Sequence, residues 1–324
     1  MKHAFRLAII GLFWLTSCFQ SAFSQAYPSK PIRVVLPYPA GSIVDALMRQ
    51  VGQESNTTWG QPLIMENRPG GNDIIAMDAC AKAPPDGYTV CVLGRSLTTL
   101  PSLYSKLPVD PERDFKPITL LVFTTLALVA HPSAGARSFK EFVAVAKSRP
   151  QTLNYGSTGV GSMGSLLMEY INKKNGFDIV HVPYKGPPNL LQALLSGEVK
   201  VAYLSLINFT SHHAAGKVRI LGISSDQRLG HLPEIPTLAE QGLNDLDIRV
   251  WFGLFAPAAT ASDSVEKFHR EVARIFALPP FRDKNLVSAG FEPVASAPSE
   301  FSEFLKANRA IGAEMVRISG ARLQ

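Results

Sequence analysis

The sequence predicts an α/β protein made of two doubly wound domains with a ligand cleft between them. Three observations carry this. Short apolar runs of strand length alternate with helical patterns along the chain, which implies parallel sheets covered by helices on both faces. The 324 residues leave room for two domains of about 150 residues each. Two Gly- and Ser-rich turns, one in each half, join a strand to a helix, and open α/β sheets bind ligands at such strand ends.

Residues 1–24 read as an export signal. Lys2 and Arg6 precede the apolar run Leu7 to Leu15, which is too short to span a bilayer. Two processing routes fit. Ala22-Phe23-Ser24 is a small-x-small cleavage site with a mature start at Gln25, and Leu15-Thr16-Ser17-Cys18 resembles a lipobox that would leave Cys18 acylated. No later segment is apolar enough over a sufficient length to be a transmembrane helix.

Ile32 to Pro37 is a short buried strand ended by proline, and Ala46 to Val51 starts a helix. Between them lies the first junction, Tyr38-Pro39-Ala40-Gly41-Ser42-Ile43-Val44-Asp45, whose backbone N–H groups can face an anion. Asp45 either caps the helix or orients a ligand. Pro62 to Glu66 is a second strand, Asn67 to Gly71 a breaker, and Ile74 to Lys82 a helix. Pro84-Pro85-Asp86-Gly87 is a turn, and Tyr88 to Leu93 a third strand ending at Gly94-Arg95-Ser96. Tyr104 to Pro117 reads as a surface connection, and Leu120 to His131 as one long strand crossing between domains.

Phe139 to Ser148 is helical. The second junction follows: Asn154-Tyr155-Gly156-Ser157-Thr158-Gly159-Val160-Gly161-Ser162-Met163-Gly164-Ser165, with an apolar helical pattern starting at Leu166. Glycines allow positive φ and close approach, and a helix start offers free N–H groups and a favourable dipole. Neither the P-loop lysine nor the dinucleotide spacing is present, which points to a small anion such as a carboxylate. Strands at Ile179 to Pro183, Val199 to Leu204, Ile220 to Ile223 and Val250 to Ala256 follow, with helices at Asn189 to Ser196, Pro236 to Gly242, Ser262 to Ala277 and Phe301 to Ile318.

Composition excludes other classes. With 46% hydrophobic and 18% charged residues the chain is an ordinary globular protein. The net charge is +6, and 30 basic against 26 acidic residues remain without residues 1–24. The basic residues form no run, so no nucleic-acid partner is expected, while a mild positive field suits an anionic ligand. His212-His213 lacks the spacing and framing ligands of a zinc site, so neither metal nor cofactor is expected. No nucleophile elbow exists, and no base is assigned to Ser157 by spacing. Cys80 and Cys91 either pair or are small buried hydrophobes. Trp251 and Phe252 either line the cleft or pack the hinge, Tyr184 is a candidate pocket wall, and Glu66 and Arg68 are expected to pair within their turn.

Several short pieces occur in a telling order: Tyr27 to Arg33, Pro37 to Asp45, Glu66-Asn67-Arg68-Pro69-Gly70, Pro85 to Thr89, Asp114 to Thr119, Asn154 to Ser162, Val182-Pro183-Tyr184-Lys185-Gly186 and Trp251 to Leu254. In these the chain resembles the solute receptors of tripartite tricarboxylate transporters, the Bug family. The resemblance implies a type II periplasmic binding protein fold. It implies a first domain of residues 25–123 plus 249–324 and a second of 124–248, with crossings near 123 and 248. It further implies a monomeric, non-enzymatic periplasmic receptor. Such a receptor traps a small mono-, di- or tricarboxylate for the membrane permease subunits of a tripartite transporter or for a sensor.

In the family, backbone donors and ordered water at the two junctions grip the ligand carboxylate. Carried over residue by residue, the expected contacts are Tyr38, Ala40, Gly41, Ser42 and Asp45 on one side and Ser157, Thr158, Gly159, Gly161 and Ser162 on the other. Ser96, Tyr184 and Leu204 are expected around them. The chain departs from the family pattern at Ser42, Ser165, Lys200 and Leu204. Leu204 stands where relatives carry an acid, which removes one partner for an ammonium group. Arg95, after the third strand, is the candidate for a second carboxylate. A plain mono- or dicarboxylate is therefore expected ahead of an amino acid. An exported enzyme on the same fold and an interaction protein with a degenerate cleft are the rival readings.

Overall fold

The computed structural model describes residues 27–149, 151–230, 232–243 and 249–322. The export segment, Cys18, Gln25 and the expected crossing at 248 lie outside them. Among the described residues eleven strands form two sheets. β1 (Ile32–Leu36), β2 (Leu63–Asn67), β3 (Thr89–Gly94) and β4 (Phe115–Thr124) belong to the first. β5 (Leu126–Ala130), β6 (Asn154–Ser157), β7 (Val180–Pro183), β8 (Val201–Ser205) and β9 (Arg219–Ile223) make the second. β10 (Val250–Pro257) and β11 (Phe291–Pro293) return to the first. The sheet orders are β11-β4-β10-β3-β1-β2 and β7-β6-β8-β5-β9.

Both sheets are mixed, which corrects the expectation of parallel sheets. β1 runs parallel to β2 and β3, and β6 parallel to β7 and β8. β10 is antiparallel to β3 and β4, and β5 to β8 and β9. The crossings require this. β4 leaves the first sheet at Thr124, and β10 enters at the same edge, with Val250 opposite Thr124. A strand leaving an edge and one entering there run in opposite senses. β5 likewise enters the second sheet at Leu126, opposite Ser205 at the carboxyl end of β8.

The run from Leu120 to His131 is thus two strands rather than one, broken at Thr125. Five of five residues in β5 are buried, as are the last seven of β4, so hydropathy marks no boundary between them. The expected surface connection ends early, because Phe115 to Pro117 already pair with β10.

Nine α-helices of five or more residues occur among the described residues: α1 (Ile43–Trp59), α2 (Ile74–Ala81), α3 (Ser96–Leu103), α4 (Phe139–Ser148), α5 (Met163–Asn175), α6 (Pro187–Ser196), α7 (Thr210–Ala214), α8 (Ser262–Phe276) and α9 (Pro298–Ser319). α3 and α7 were not anticipated, and α3 contains Pro101, which masks a helical pattern. Pro236 to Gly242 forms turns, not the expected helix, with Thr237 bridging to Ile223.

Cys80 of α2 and Cys91 of β3 are disulfide-bonded, which settles the open pairing. A loop this short is worth about 2–3 kcal/mol through the unfolded state. α9 straps the two halves together, since Met315 and Val316 share one apolar cluster with Leu166, Leu167 and Tyr170 of α5. Trp251 packs there too: it is fully buried, its indole N–H donates to Asn308 Oδ1 at 2.9 Å, and its ring stands edge-on to Phe301 and Phe304.

Candidate functional site

The carboxyl ends of the parallel strands in both sheets face the crossing. Gly94, at the end of β3, lies opposite Phe252 near the start of β10, and Ser205, at the end of β8, lies opposite Leu126. The loops after β1 and β6 therefore open on the same cleft.

These two loops are built alike. Gly41 and Gly161 both have φ +81°. Ser42 and Ser162 cap α1 and α5 with φ/ψ of −64°/157° and −65°/157°. Each cap N–H closes a turn, to Pro39 O at 3.1 Å and to Gly159 O at 3.2 Å. Each cap hydroxyl accepts from the N–H three residues on, Asp45 or Ser165, at 3.3 Å. The third residue of such a turn takes positive φ, which explains both glycines. In each helix the first-turn N–H groups, Ile43 and Val44 or Met163 and Gly164, have no intrahelical acceptor.

The loops differ in charge. Asp45 is 1% exposed, and its carboxylate accepts from Gly41 N–H at 2.9 Å, from Arg49 Nε and Nη2 at 2.9 and 3.1 Å, and from Asn67 Nδ2 at 2.9 Å. Burial pushes its pKa up, but the hydrogen bonds from Arg49, Gly41 and Asn67 outweigh that and hold it below the usual carboxylate range. Asp45 is thus committed to bracing its own loop. Asn67 completes the brace by donating to Tyr38 O at 2.9 Å. At the second loop Ser165 takes the place of the acid, and its hydroxyl donates to Ser162 O at 2.9 Å. No described carboxylate covers Gly161 N–H.

Ser157 is fully buried. Its Oγ lies 2.7 Å from His181 Nε2, 3.0 Å from Gly159 O and 3.1 Å from Gly159 N. One arrangement satisfies all four groups: His181 and Gly159 N–H donate to the hydroxyl, and the hydroxyl donates to Gly159 O. The His181 ring stacks on Tyr155 at 4.7 Å between centroids, and Tyr155 OH donates to Glu169 Oε1 at 2.5 Å. Burial lowers the His181 pKa, with Glu169 pulling the other way, so the ring is neutral near pH 7.

Several expected contacts sit elsewhere. Arg95 is buried, and its guanidinium donates to Arg249 O at 2.7 Å and to Met315 Sδ at 3.3 Å, on the α9 side. It therefore does not wait for a second carboxylate, because Met315 of α9 and a backbone carbonyl already hold it. Tyr184 turns to Glu198, donating from its hydroxyl at 2.7 Å, and packs beside α6 as part of a groove with Pro188 and Leu191. Its N–H donates to Ser157 O at 2.8 Å. Leu204 pairs with Ala127 and is only partly buried. Phe252 packs edge-on against Tyr38. A Cβ at Gly94 would come within 2.8 Å of Tyr38 OH and 3.1 Å of Trp251 O, so a side chain there would displace Tyr38. Ala40, Gly41, Ser42, Thr158, Gly159, Gly161 and Ser162 form the two loops themselves, each at least partly exposed. Glu66 and Arg68 form an ion pair, as expected. No cluster of metal-ligating side chains occurs among the described residues.

Sequence reasoning missed Arg49, Asn67 and His181. Asn67 and His181 sat inside or beside matched pieces, but their partners are distant in sequence.

Two α/β halves joined by crossing strands, with matched helix starts facing one cleft, define a two-domain solute-binding protein. The model of the tripartite tricarboxylate transporter family receptors matches residues 47–318, and the chain belongs to that family. It is 33% identical over 303 residues to a UPF0065 protein of Bordetella pertussis, covering 93% of this chain and 92% of that one. It is 30% identical over 325 residues to BugT of the same organism, covering 98% of each. Among solved structures, R. palustris Rpa4515 with adipate is 28% identical with a TM-score of 0.82, covering 92% of this chain and all of that one. MatC from Rhodopseudomonas palustris with bound malate is 28% identical with a TM-score of 0.77, covering 90% and all of the respective chains.

Proposed function

We propose that this receptor binds a small organic carboxylate in the cleft, with the carboxylate seated on the turn and helix start at Gly159–Ser162 and facing the Ala40–Ser42 loop. The observation that carries this is the matched pair of loops with unlike charge. One is already neutralised by Asp45, and the other presents Gly161, Met163 and Gly164 N–H groups with no described acid over them. The relatives solved with adipate and malate support the ligand class. The contacting set is narrowed to Ala40, Gly41, Ser42, Thr158, Gly159, Gly161 and Ser162, with Tyr38 and Ser96 on the first-half wall and Leu204 on the second. Ser157 and Asp45 shape the loops rather than touch ligand.

The domains are residues 25–123 with 249–324, and 124–248. They close on the ligand, and the closed form is what permease subunits of a tripartite transporter, or a sensor, recognise. Residues 1–24 direct the monomer to the periplasm, with Gln25 as the mature start or Cys18 as a lipid anchor. This reading has it bind without turnover, and the Ser157 hydroxyl beside His181, enclosed and saturated and so unfit as a nucleophile, supports that. Mass spectrometry of ligand carried through gentle native purification, followed by calorimetry with the identified acid, tests the proposal. A bound carboxylate recovered unchanged supports it, whereas turnover of the acid favours the enzyme reading.

A further inference from the structure

The first half of the cleft carries an acidic side chain that no motif announces. Gly70, Gly71, Asn72 and Asp73 run consecutively at φ of 109°, 57°, 49° and 73°. Two of the four are not glycine, and L-residues avoid this region unless the surroundings impose it. The turn carries Asp73 from the end of β2 across to the end of β3. There its Oδ2 accepts from the Ser96 hydroxyl at 2.5 Å. Oδ1 takes no hydrogen bond from a described residue, and no described cation pairs with the carboxylate. The titratable group facing it is Tyr38, from the loop after β1, whose hydroxyl lies against Gly94. Arg95, next along the chain from Gly94, is turned away toward α9.

Tyr38, Asp73 and Ser96 thus come from the loops after three neighbouring strands, at the edge where an open α/β sheet receives its ligand. We infer that Asp73 sets specificity on this wall, accepting a hydrogen bond from a hydroxyl or ammonium group of the ligand and disfavouring a second carboxylate at that point. The inference rests on the carboxylate-receptor reading above and names which carboxylates the cleft prefers. A donor on the ligand completes Oδ1. A second carboxylate there meets a like charge on a partly buried group, and is tolerated only when Asp73 carries a proton. Burial pushes the Asp73 pKa up to about 6, against the Ser96 hydrogen bond, so that proton is present at mildly acid pH. The preference is therefore the reverse of the one that Arg95 as a carboxylate partner implies.

Succinate, malate and aspartate differ at one position and serve as probes, with adipate as a longer diacid. Calorimetry on the intact mature protein would compare wild type, Asp73→Ala and Ser96→Ala at pH 5 and pH 7.5, with thermal unfolding to confirm folding. Wild type should bind malate or aspartate about tenfold tighter than succinate at pH 7.5, the scale of one hydrogen bond to a charged group. Asp73→Ala should bring the three within about twofold. Succinate should gain more affinity on going to pH 5 in wild type than in Asp73→Ala. Ser96→Ala should keep the preference in weakened form. Equal ratios in wild type and Asp73→Ala, or a wild-type preference for succinate, would overturn the inference while leaving the receptor reading intact. Binding of none of the four acids by any of the proteins would overturn both.

Discussion

Replacing Ser157 with alanine separates a loop-shaping role from a ligand contact. The hydroxyl is fully buried and joins three groups at 2.7–3.1 Å. Its loss removes the bond from Gly159 N–H, which sits in a half-exposed turn and regains water. That costs about 0.5–1.5 kcal/mol, the net worth of a neutral hydrogen bond. It also strands His181 Nε2–H on a half-buried ring under Tyr155, which costs about 1–3 kcal/mol. Together the loss is roughly 1.5–4.5 kcal/mol, tolerable for a domain with about 5–15 kcal/mol of stability. Urea unfolding should show a lower midpoint at unchanged slope. Calorimetry with the best-binding acid should show a drop of no more than about tenfold, transmitted through a loosened Gly159 turn. Unchanged stability together with a collapse in affinity would refute the reasoning, because the hydroxyl would then be facing the ligand.

The other perturbations read different parts of the cleft. Gly161→Leu should abolish carboxylate binding and cost about 1–2 kcal/mol of stability from φ +81°; retained affinity would put the site elsewhere. Asp73→Asn should stabilise the protein at pH 8 and lose that effect by pH 4. The folded pKa of about 6 lies above the unfolded value of 3.8, so ionising Asp73 opposes folding only as pH rises through that window. Chemical denaturation across pH checks this, and a flat difference would contradict it. His181→Gln should reduce the pH dependence of binding, most clearly in an Asp73→Ala background. In wild type the affinity should rise as pH falls, because the imidazolium forms near the seated anion while the His181 pKa is depressed in its absence. Affinity that rises with pH would contradict this.

Continuous apolar runs and breaker residues made most elements legible, down to Phe139–Ser148 at both ends. What hydropathy lacks is direction. β4 and β5 form one buried run whose division at Thr125 and opposite pairing arise from crossing between sheets. α3 hides behind Pro101, and the three residues of β11 are too few to show a period. In the site, Gly41 and Gly161 were readable because a positive φ before a serine cap calls for glycine. The Ser157–His181 contact spans 24 residues and exists only through the pairing of β6 with β7. Asp73 was hidden because a left-handed backbone at aspartate leaves no mark in the sequence. Arg95 was placed at the right strand end, but the direction of its side chain is decided by α9, more than 200 residues away.

A crystal structure of the mature protein with its co-purified or best-binding acid tests the central claim most directly. The account predicts a ligand carboxylate within hydrogen-bond reach of the Gly161, Met163 and Gly164 N–H groups, directly or through one water, with the Ala40–Ser42 loop closed over it. A carboxylate bound on Arg95, in the groove beside Tyr184, or away from both loops would contradict it.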